Sequence, residues 1–202
     1  MGVNLMDKGY TNVPAATPGE FVKLPAGGYV CRIILAEFQK SKAGNLMLVL
    51  YIDIADGEFA GYFKASADSA HKFGKNKTWD NSGVYRQLLF DNSNQRISGF
   101  FKGLISCIEN SNDTFKINLT NFEPGSLIGT FCGFVFAGEE YQKRDGSIGE
   151  RTVIKFPKTI ADIRSGNFRI PDTKKWNKPA TEETVSKDAF GGTSVPDDDV
   201  PF

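Results

Sequence analysis

Two neighbouring segments near the start of the chain are rich in apolar residues and are interrupted by a polar, glycine-containing stretch, as in two strands joined by a turn. Residues 29 to 39, YVCRIILAEFQ, are rich in β-branched and aromatic side chains, and the KSKAGN that follows predicts a hairpin turn. The next run, LMLVLYIDIAD, predicts a second strand whose alternate residues point to opposite faces. Its predicted core face carries Leu46, Leu48, Leu50, Ile52 and Ile54, and its other face carries Met47, Val49, Tyr51 and Asp53.

A third strand is predicted over residues 58 to 66, EFAGYFKAS, directly after a turn. Its predicted core face carries Phe59 and Phe63, and its opposite face carries Glu58, Tyr62 and Lys64. Residues 66 to 83 contain many Lys, Asn and Gly residues and no clear periodicity, so they predict a long loop. Loops of that length in a compact domain are usually functional.

Apolar residues then recur at steps of three and four in NQRISGFFKGLISCIEN, which predicts an amphipathic helix despite Gly99 and Gly103. The predicted apolar stripe consists of Ile97, Phe101, Leu104, Ile105 and Ile108. Two further strands are predicted in SLIGTFCGFVFAGEEY and RTVIKFPKTI, with QKRDGSIGE as the hairpin tip between them.

Three strands, a helix and two strands form the element order of a small Greek-key barrel, the oligonucleotide/oligosaccharide-binding (OB) fold. The predicted class is therefore all-β with one or two helices, an OB-fold five-stranded Greek-key barrel over residues 1–170. A generic α+β sheet is the alternative. Residues 171–202 contain few apolar side chains, which predicts a disordered linker and an acidic C-terminal tail. Residues 1–20 are either an ordered arm or a flexible, frayed end.

The formal net charge of zero hides an asymmetry along the chain. Residues 179–202 contain six acidic residues and one lysine, which gives the tail a net charge of −5. The remaining 23 basic and 18 acidic residues give the body a net charge of +5. A basic body favours an anionic ligand.

Several classes of protein are disfavoured by the sequence. There is no run of about 20 apolar residues and no secretory signal pattern, so we expect a cytoplasmic protein without a membrane anchor. Cys31, Cys107 and Cys132 lie in apolar runs without paired spacing, which is typical of reduced core thiols. His71 is the only histidine, and no hydrolase or phosphate-loop motif is present. We therefore expect no enzymatic activity, no cofactor and no metal site.

Single-stranded nucleic acid is bound by flat aromatic faces and cations that share one surface. In the OB fold that surface is the exposed face of strands two and three, with the loops that join strands one to two and four to five. These segments and the long loop after the predicted third strand, HKFGKNKTW, offer the following residues for DNA binding: Lys40, Lys42, Tyr51, Tyr62, Lys64, Lys72, Phe73, Lys75, Lys77, Trp79, Tyr141, Lys143, Arg144 and Arg151. For any one of them, a core aromatic or a solvated cation is an equally good interpretation.

The chain ends in DDDVPF, and an aromatic residue on a flexible terminus has nothing to bury it in its own fold. The hexamer resembles the acidic C-terminal tip of bacterial and phage single-stranded-DNA-binding proteins. That resemblance implies an aromatic anchor for a hydrophobic pocket on partner enzymes, beside acidic residues that meet a basic rim. The residues to which it carries over are Asp197, Asp198, Asp199, Val200, Pro201 and Phe202.

The body resembles a narrower group, a family of phage and prophage single-stranded-DNA-binding proteins long described as a domain of unknown function. The segments LPAGGY, SKAGNLMLVLYIDI and DGEFAGYF carry this resemblance, over about the first third of the chain. It implies coating of single-stranded DNA in phage replication or recombination, with replication, repair and recombination enzymes as partners. A homotetramer is not implied, because only the tail resembles the classical bacterial protein, and a dimer or other homo-oligomer stays open.

Two alternatives remain from other classes of protein. One is a replication or recombination adaptor whose barrel and tail bind proteins rather than DNA. The other is a nuclease or polymerase subunit with catalytic carboxylates, which would require divalent metal for turnover. Phosphate contacts release counterions, so a steep loss of binding with salt separates a DNA-binding protein from an adaptor.

Overall fold

A computed structural model describes residues 22–72, 79–91 and 96–177, without the side chains of residues 69–72. Five strands and three helices lie in these ranges, and none of these helices is long and apolar enough to cross a membrane. The strands are β1 (Gly27–Lys40), β2 (Leu46–Ile54), β3 (Val84–Leu88), β4 (Phe131–Gln142) and β5 (Ile148–Lys158). The helices are α1 (Tyr62–Lys72), α2 (Gly99–Asn110) and α3 (Ile160–Ser165).

The strands form one antiparallel sheet in the order β3-β2-β1-β4-β5. This confirms a predominantly β architecture. Within the described ranges no hydrogen-bonded ladder joins the edge strands β3 and β5, so the sheet is open and a closed barrel is not confirmed.

Four of the five predicted strands, and the amphipathic helix, lie where the sequence pattern indicates. The β1–β2 hairpin turns at Gly44, whose φ of 85° is a conformation that glycine adopts without strain. Helix α2 buries Phe101, Leu104, Ile105 and Ile108. Ile97, the fifth member of the predicted stripe, precedes the helix and is 55% exposed.

The prediction of a third strand at residues 58–66 is wrong, because the chain turns there and begins α1 at Tyr62. The buried carboxylate of Asp53, at the end of β2, accepts hydrogen bonds from the backbone amides of Phe63 (3.0 Å) and Lys64 (3.4 Å). A helix leaves its first amides unpaired, and a carboxylate at that end satisfies them. Phe63 is fully buried and stacks on Phe136, which anchors the helix in the core.

The predicted order of elements changes as a result. Helix α1 replaces the first part of the predicted loop, the third strand is β3, and α3 brings the described helices to three rather than one or two. The order is therefore two strands, a helix, a strand, a helix, two strands and a short helix.

The core lies on one face of the sheet, where α2 covers it. Leu48, Leu50, Ile52 and Ile54 are buried there as predicted, and Leu46 is half-buried. On the other face of β2, which was predicted to be exposed, Val49 and Asp53 are buried as well. The three cysteines are free thiols. Cys31 and Cys132 are fully buried and Cys107 is half-buried, and burial raises the pKa of all three.

The first residues of the predicted linker, 171 to 177, lie alongside β4. The backbone of Lys174 bonds to Gly138 (3.0 Å) and Glu140 (2.9 Å), and the Lys175 amine pairs with the Glu140 carboxylate at 2.7 Å. These contacts cover the edge of β4 beyond its pairing with β1. The predicted tail from residue 178 onward and the predicted N-terminal arm lie outside the described residues.

Candidate nucleic-acid interface

The face of the sheet opposite the core is partly exposed along the second half of β1, β2 and β3, although Val49 and Val84 on this face are buried. Directly opposed residues of antiparallel strands share a face, so the register arranges this surface in three cross-strand rows. We call it the open face, and its rows are Leu35–Tyr51–Val84, Glu37–Val49–Arg86 and Gln39–Met47–Leu88.

The other half of the same face is covered. A β-carbon at Gly28 would lie within 3.0 Å of Ile163 of α3 and of Phe168 after it, and a β-carbon at Gly133 would lie within 3.0 Å of Ile163. No element in the described part of the chain covers the open face in this way.

A β-bulge shapes the edge of the open face. The β1–β2 register shifts between Ile33 and Leu35, so that Ile34 is an extra residue in β1. Bulges of this kind redirect side chains and increase the local twist. Ile34 and Leu35 are consequently both exposed, at 40% and 44%.

A cleft of about 520 Å³ opens on this surface, and two predicted DNA-binding aromatics, Tyr51 and Trp79, lie in its wall. We call it the aromatic cleft. The remaining residues of its lining are Ile34, Leu35, Asn81, Val84 and Arg86. Aromatic rings and cations are the groups with which proteins contact single-stranded nucleic acid, and this cleft contains two such rings and one guanidinium group.

The two aromatic side chains of the cleft are held by hydrogen bonds. Trp79 donates its indole N–H to the carbonyl of Ile52 at 3.2 Å. Tyr51 donates its hydroxyl to Glu37 Oε1 at 3.0 Å, and Gln39 Nε2 donates to the same oxygen at 2.6 Å. Partial burial and then the Glu37 carboxylate raise the pKa of Tyr51, so its hydroxyl stays protonated at neutral pH. These hydrogen bonds fix the orientation of the Trp79 and Tyr51 rings.

Cations surround the open face. Arg86 is exposed on edge strand β3, beside the aromatic cleft. Lys40 and Lys42 are exposed at the β1–β2 hairpin, where the predicted loop between strands one and two lies. At the opposite end, Arg32 lies 6.0 Å from the ring centroid of Phe131. A nucleic-acid strand that lay along β1 would therefore have basic side chains near both of its ends.

Other predicted residues lie around a second cleft, of about 250 Å³, that we call the β5 cleft. Tyr62 and Arg151 line it. The turn at Asn81–Gly83 separates the two clefts, since Asn81 lines the aromatic cleft and Ser82 lines the β5 cleft. The Arg151 guanidinium pairs with Glu139 at 3.3 Å and lies 5.3 Å from the ring centroid of Tyr141.

Several predicted residues are placed differently from the expectation. Tyr62 and Lys64 belong to α1 rather than to a strand, and the Lys64 amine pairs with Asp68 at 2.9 Å. Tyr62 packs edge-on against Phe63, at 5.2 Å between ring centroids. Exposed at the β4–β5 hairpin tip are Lys143 and Arg144. The described part of the chain does not include the side chain of Lys72, nor Phe73, Lys75, Lys77 and the tail tip 197–202.

Six residues of the open face were not singled out from the sequence: Leu35, Glu37, Gln39, Val84, Arg86 and Leu88. No face was assigned to the residues of the first predicted strand, and the extra residue in β1 that turns Leu35 outward is not visible in the sequence. Arg86 lies in VYRQL, a short alternating run that fits a strand but was not recognised as one.

A third cleft, the α2 cleft, lies on the core side of the sheet and has a volume of about 790 Å³. Most of its lining is apolar, and Phe38, Ile97 and Leu119 are each more than one-third exposed. Two lysines and one glutamate also border it, with Lys116 and Glu109 paired at 3.6 Å. The full lining is Phe38, Leu89, Ile97, Phe101, Lys102, Ile105, Ser106, Glu109, Lys116, Ile117, Leu119 and Phe122.

No known protein-family model matches this chain, and no curated protein matches it.

Proposed function

We propose that this protein is a non-enzymatic binder of single-stranded DNA that coats and protects the strand largely independently of sequence. Its body would contact the phosphates through cations and stack bases on aromatic rings. Following what the sequence resemblance implies, we propose a role in phage DNA replication or recombination, in the cytoplasm of the host cell. The tip DDDVPF would recruit partner enzymes of replication, repair or recombination.

The observation that carries this proposal is the aromatic cleft. Tyr51, Trp79 and Arg86 converge there on an otherwise open strand surface. Stacking contributes roughly 1–3 kcal/mol for each base, so two rings and a few phosphate contacts are sufficient for useful affinity. The net charge of +5 on residues 1–178 has the sign that a polyanion requires.

The arrangement of strands supports assignment to the OB fold, although the sheet is open. After the first three strands the chain returns through α2, and β4 pairs beside β1, which is the strand order of a Greek key. Strand β5 contacts the Asn81–Gly83 turn that precedes β3, so the two sheet edges approach each other there. In an OB fold, the face of strands two and three is the ligand surface, and the aromatic cleft lies on this face.

Fluorescence titration of Trp79 with a mixed-sequence single strand tests the proposal. The strand should be about 30 nucleotides long, which exceeds the roughly 4–16 that one such barrel covers. A Trp176→Phe variant removes the second tryptophan, which lies beside Glu140, so that the signal comes from Trp79. We expect saturable quenching that weakens with salt and is not competed by duplex DNA. A flat signal together with unchanged anisotropy of labelled DNA would refute it.

The α2 cleft favours the second candidate, a protein adaptor, because an apolar cleft is the usual receptor for an apolar side chain of a partner. The DNA-binding function is preferred because the cations and aromatic rings occur together on the open face. The two differ in their response to salt. Binding to DNA falls steeply as salt rises, whereas apolar contacts persist.

A further inference from the structure

The open face carries a carboxylate at its centre, where a surface for a polyanion should avoid one. Glu37 occupies the middle row, opposite Val49 on β2 and in line with Arg86 on β3. Its charge must repel phosphates, so it is unfavourable in a surface that contacts only the backbone of DNA. Glu37 holds the Tyr51 hydroxyl, and a contact between its carboxylate and DNA would be favourable only at a part of the nucleotide other than the phosphate.

We propose that Glu37 selects bases with an exocyclic amine, so that the protein binds cytosine-containing single strands more tightly than thymine strands. This inference rests on the proposed DNA-binding function and refines it. It makes Glu37 a specificity-determining residue in a surface whose other contacts are indifferent to sequence.

The hydrogen bonds of Glu37 leave it ready for such a contact. Its Oε1 atom accepts from the Tyr51 hydroxyl at 3.0 Å and from Gln39 Nε2 at 2.6 Å, which fixes the carboxylate. Its Oε2 atom makes no hydrogen bond to any residue that the structure describes. A base stacked on the Tyr51 ring would bring its edge toward this oxygen, because the hydroxyl end of the ring is the end that meets Glu37.

An ionised carboxylate only accepts hydrogen bonds. Cytosine offers its N4 amine, adenine its N6 amine and guanine its N2 amine, so each can donate to Oε2. Thymine has no exocyclic amine, and its one ring donor, N3–H, lies between the O2 and O4 carbonyls, which repel an approaching carboxylate. The carboxylate is therefore expected to favour the three bases that carry an amine over thymine.

Competition between two homopolymers of equal length, dC and dT of about 16 nucleotides, is the appropriate test, because they carry the same phosphate charge. Anisotropy of a labelled strand gives the ratio of the two affinities at neutral pH. We expect the wild-type protein to favour dC by about tenfold, the effect of one charge-assisted hydrogen bond. Glu37→Gln keeps the size of the side chain and removes its charge. In this variant the ratio of dC affinity to dT affinity should fall toward one, while the affinity for dT rises.

Glu58→Gln is the matched control, because Glu58 is exposed in the turn after β2 and its substitution changes the net charge equally. It should leave the dC to dT ratio unchanged. If both strands bind wild type equally, or if Glu37→Gln keeps the preference, the role of Glu37 is refuted and DNA binding stands. If neither strand binds wild type, the proposed function itself fails, and the inference fails with it.

Discussion

Replacement of Tyr51 by alanine is the most direct test of how the open face binds DNA. Tyr51 lies in the wall of the aromatic cleft, and its hydroxyl donates to Glu37 at 3.0 Å. Removing the ring removes one stacking platform, worth roughly 1–3 kcal/mol, so Tyr51→Ala should weaken binding by about 5- to 150-fold. Tyr51→Phe keeps the ring and should lose much less, because only the hydrogen bond to Glu37 disappears.

The assay is anisotropy of a labelled mixed-sequence strand at fixed salt, with circular dichroism to confirm folding. Phe100→Ala provides a matched control, since the Phe100 ring is 81% exposed on α2, on the core side of the sheet. That variant should bind like wild type. Stacking on Tyr51 would be refuted if Tyr51→Ala bound DNA with an affinity within twofold of wild type, or if Phe100→Ala lost as much affinity as Tyr51→Ala.

Three further predictions concern charge, capping and pH. Arg86→Gln should lower the magnitude of the slope of log affinity against log salt concentration by about one, because one phosphate contact is lost. Lys102→Gln on α2 should leave this slope unchanged. Equal slopes for the two variants would show that Arg86 does not contact DNA. Asp53→Ala leaves two amides at the start of α1 without their acceptor, and should lower the free energy of unfolding in urea by about 1–2 kcal/mol; an unchanged midpoint would contradict this. Burial raises the pKa of Tyr85 from 10 in the unfolded chain to about 12 in the folded protein. The stability that depends on the protonated hydroxyl is therefore fully present below pH 10 and is lost as the pH rises from 10 toward 12. Urea unfolding across this range should show wild type losing up to about 2 kcal/mol relative to Tyr85→Phe, and parallel curves would contradict the shift.

Local sequence patterns were sufficient where an element is long and rich in apolar residues. Strands β1, β2, β4 and β5 are each nine residues or longer, and α2 carries an apolar stripe of four buried residues. Their positions followed from the sequence, but the burial of β2 and β4 did not, because both strands bury residues on both faces. The alternation of side chains along β2 identified Tyr51 as a residue of the non-core face.

Helix α1 was mistaken for a strand because its stabilising contacts are remote in sequence. EFAGYFKAS contains aromatic residues that favour a strand locally. The helix is chosen by Asp53, ten residues before Phe63, whose carboxylate caps the first turn, and by the stacking of Phe63 on Phe136. Tyr62 and Lys64 consequently lie in the first turn of α1 and not on the face of a strand.

The sequence by itself determined the predominance of β structure, the opposing charges of body and tail, and the presence of aromatic rings and cations in neighbouring segments. Only the tertiary structure decided which of them meet. The register of three strands sets Glu37, Val49 and Arg86 in one row, and the extra residue in β1 exposes both Ile34 and Leu35. The physical reason is that alternation along one strand fixes which residues share a face, whereas the hydrogen-bonded pairing between strands fixes which residues are neighbours.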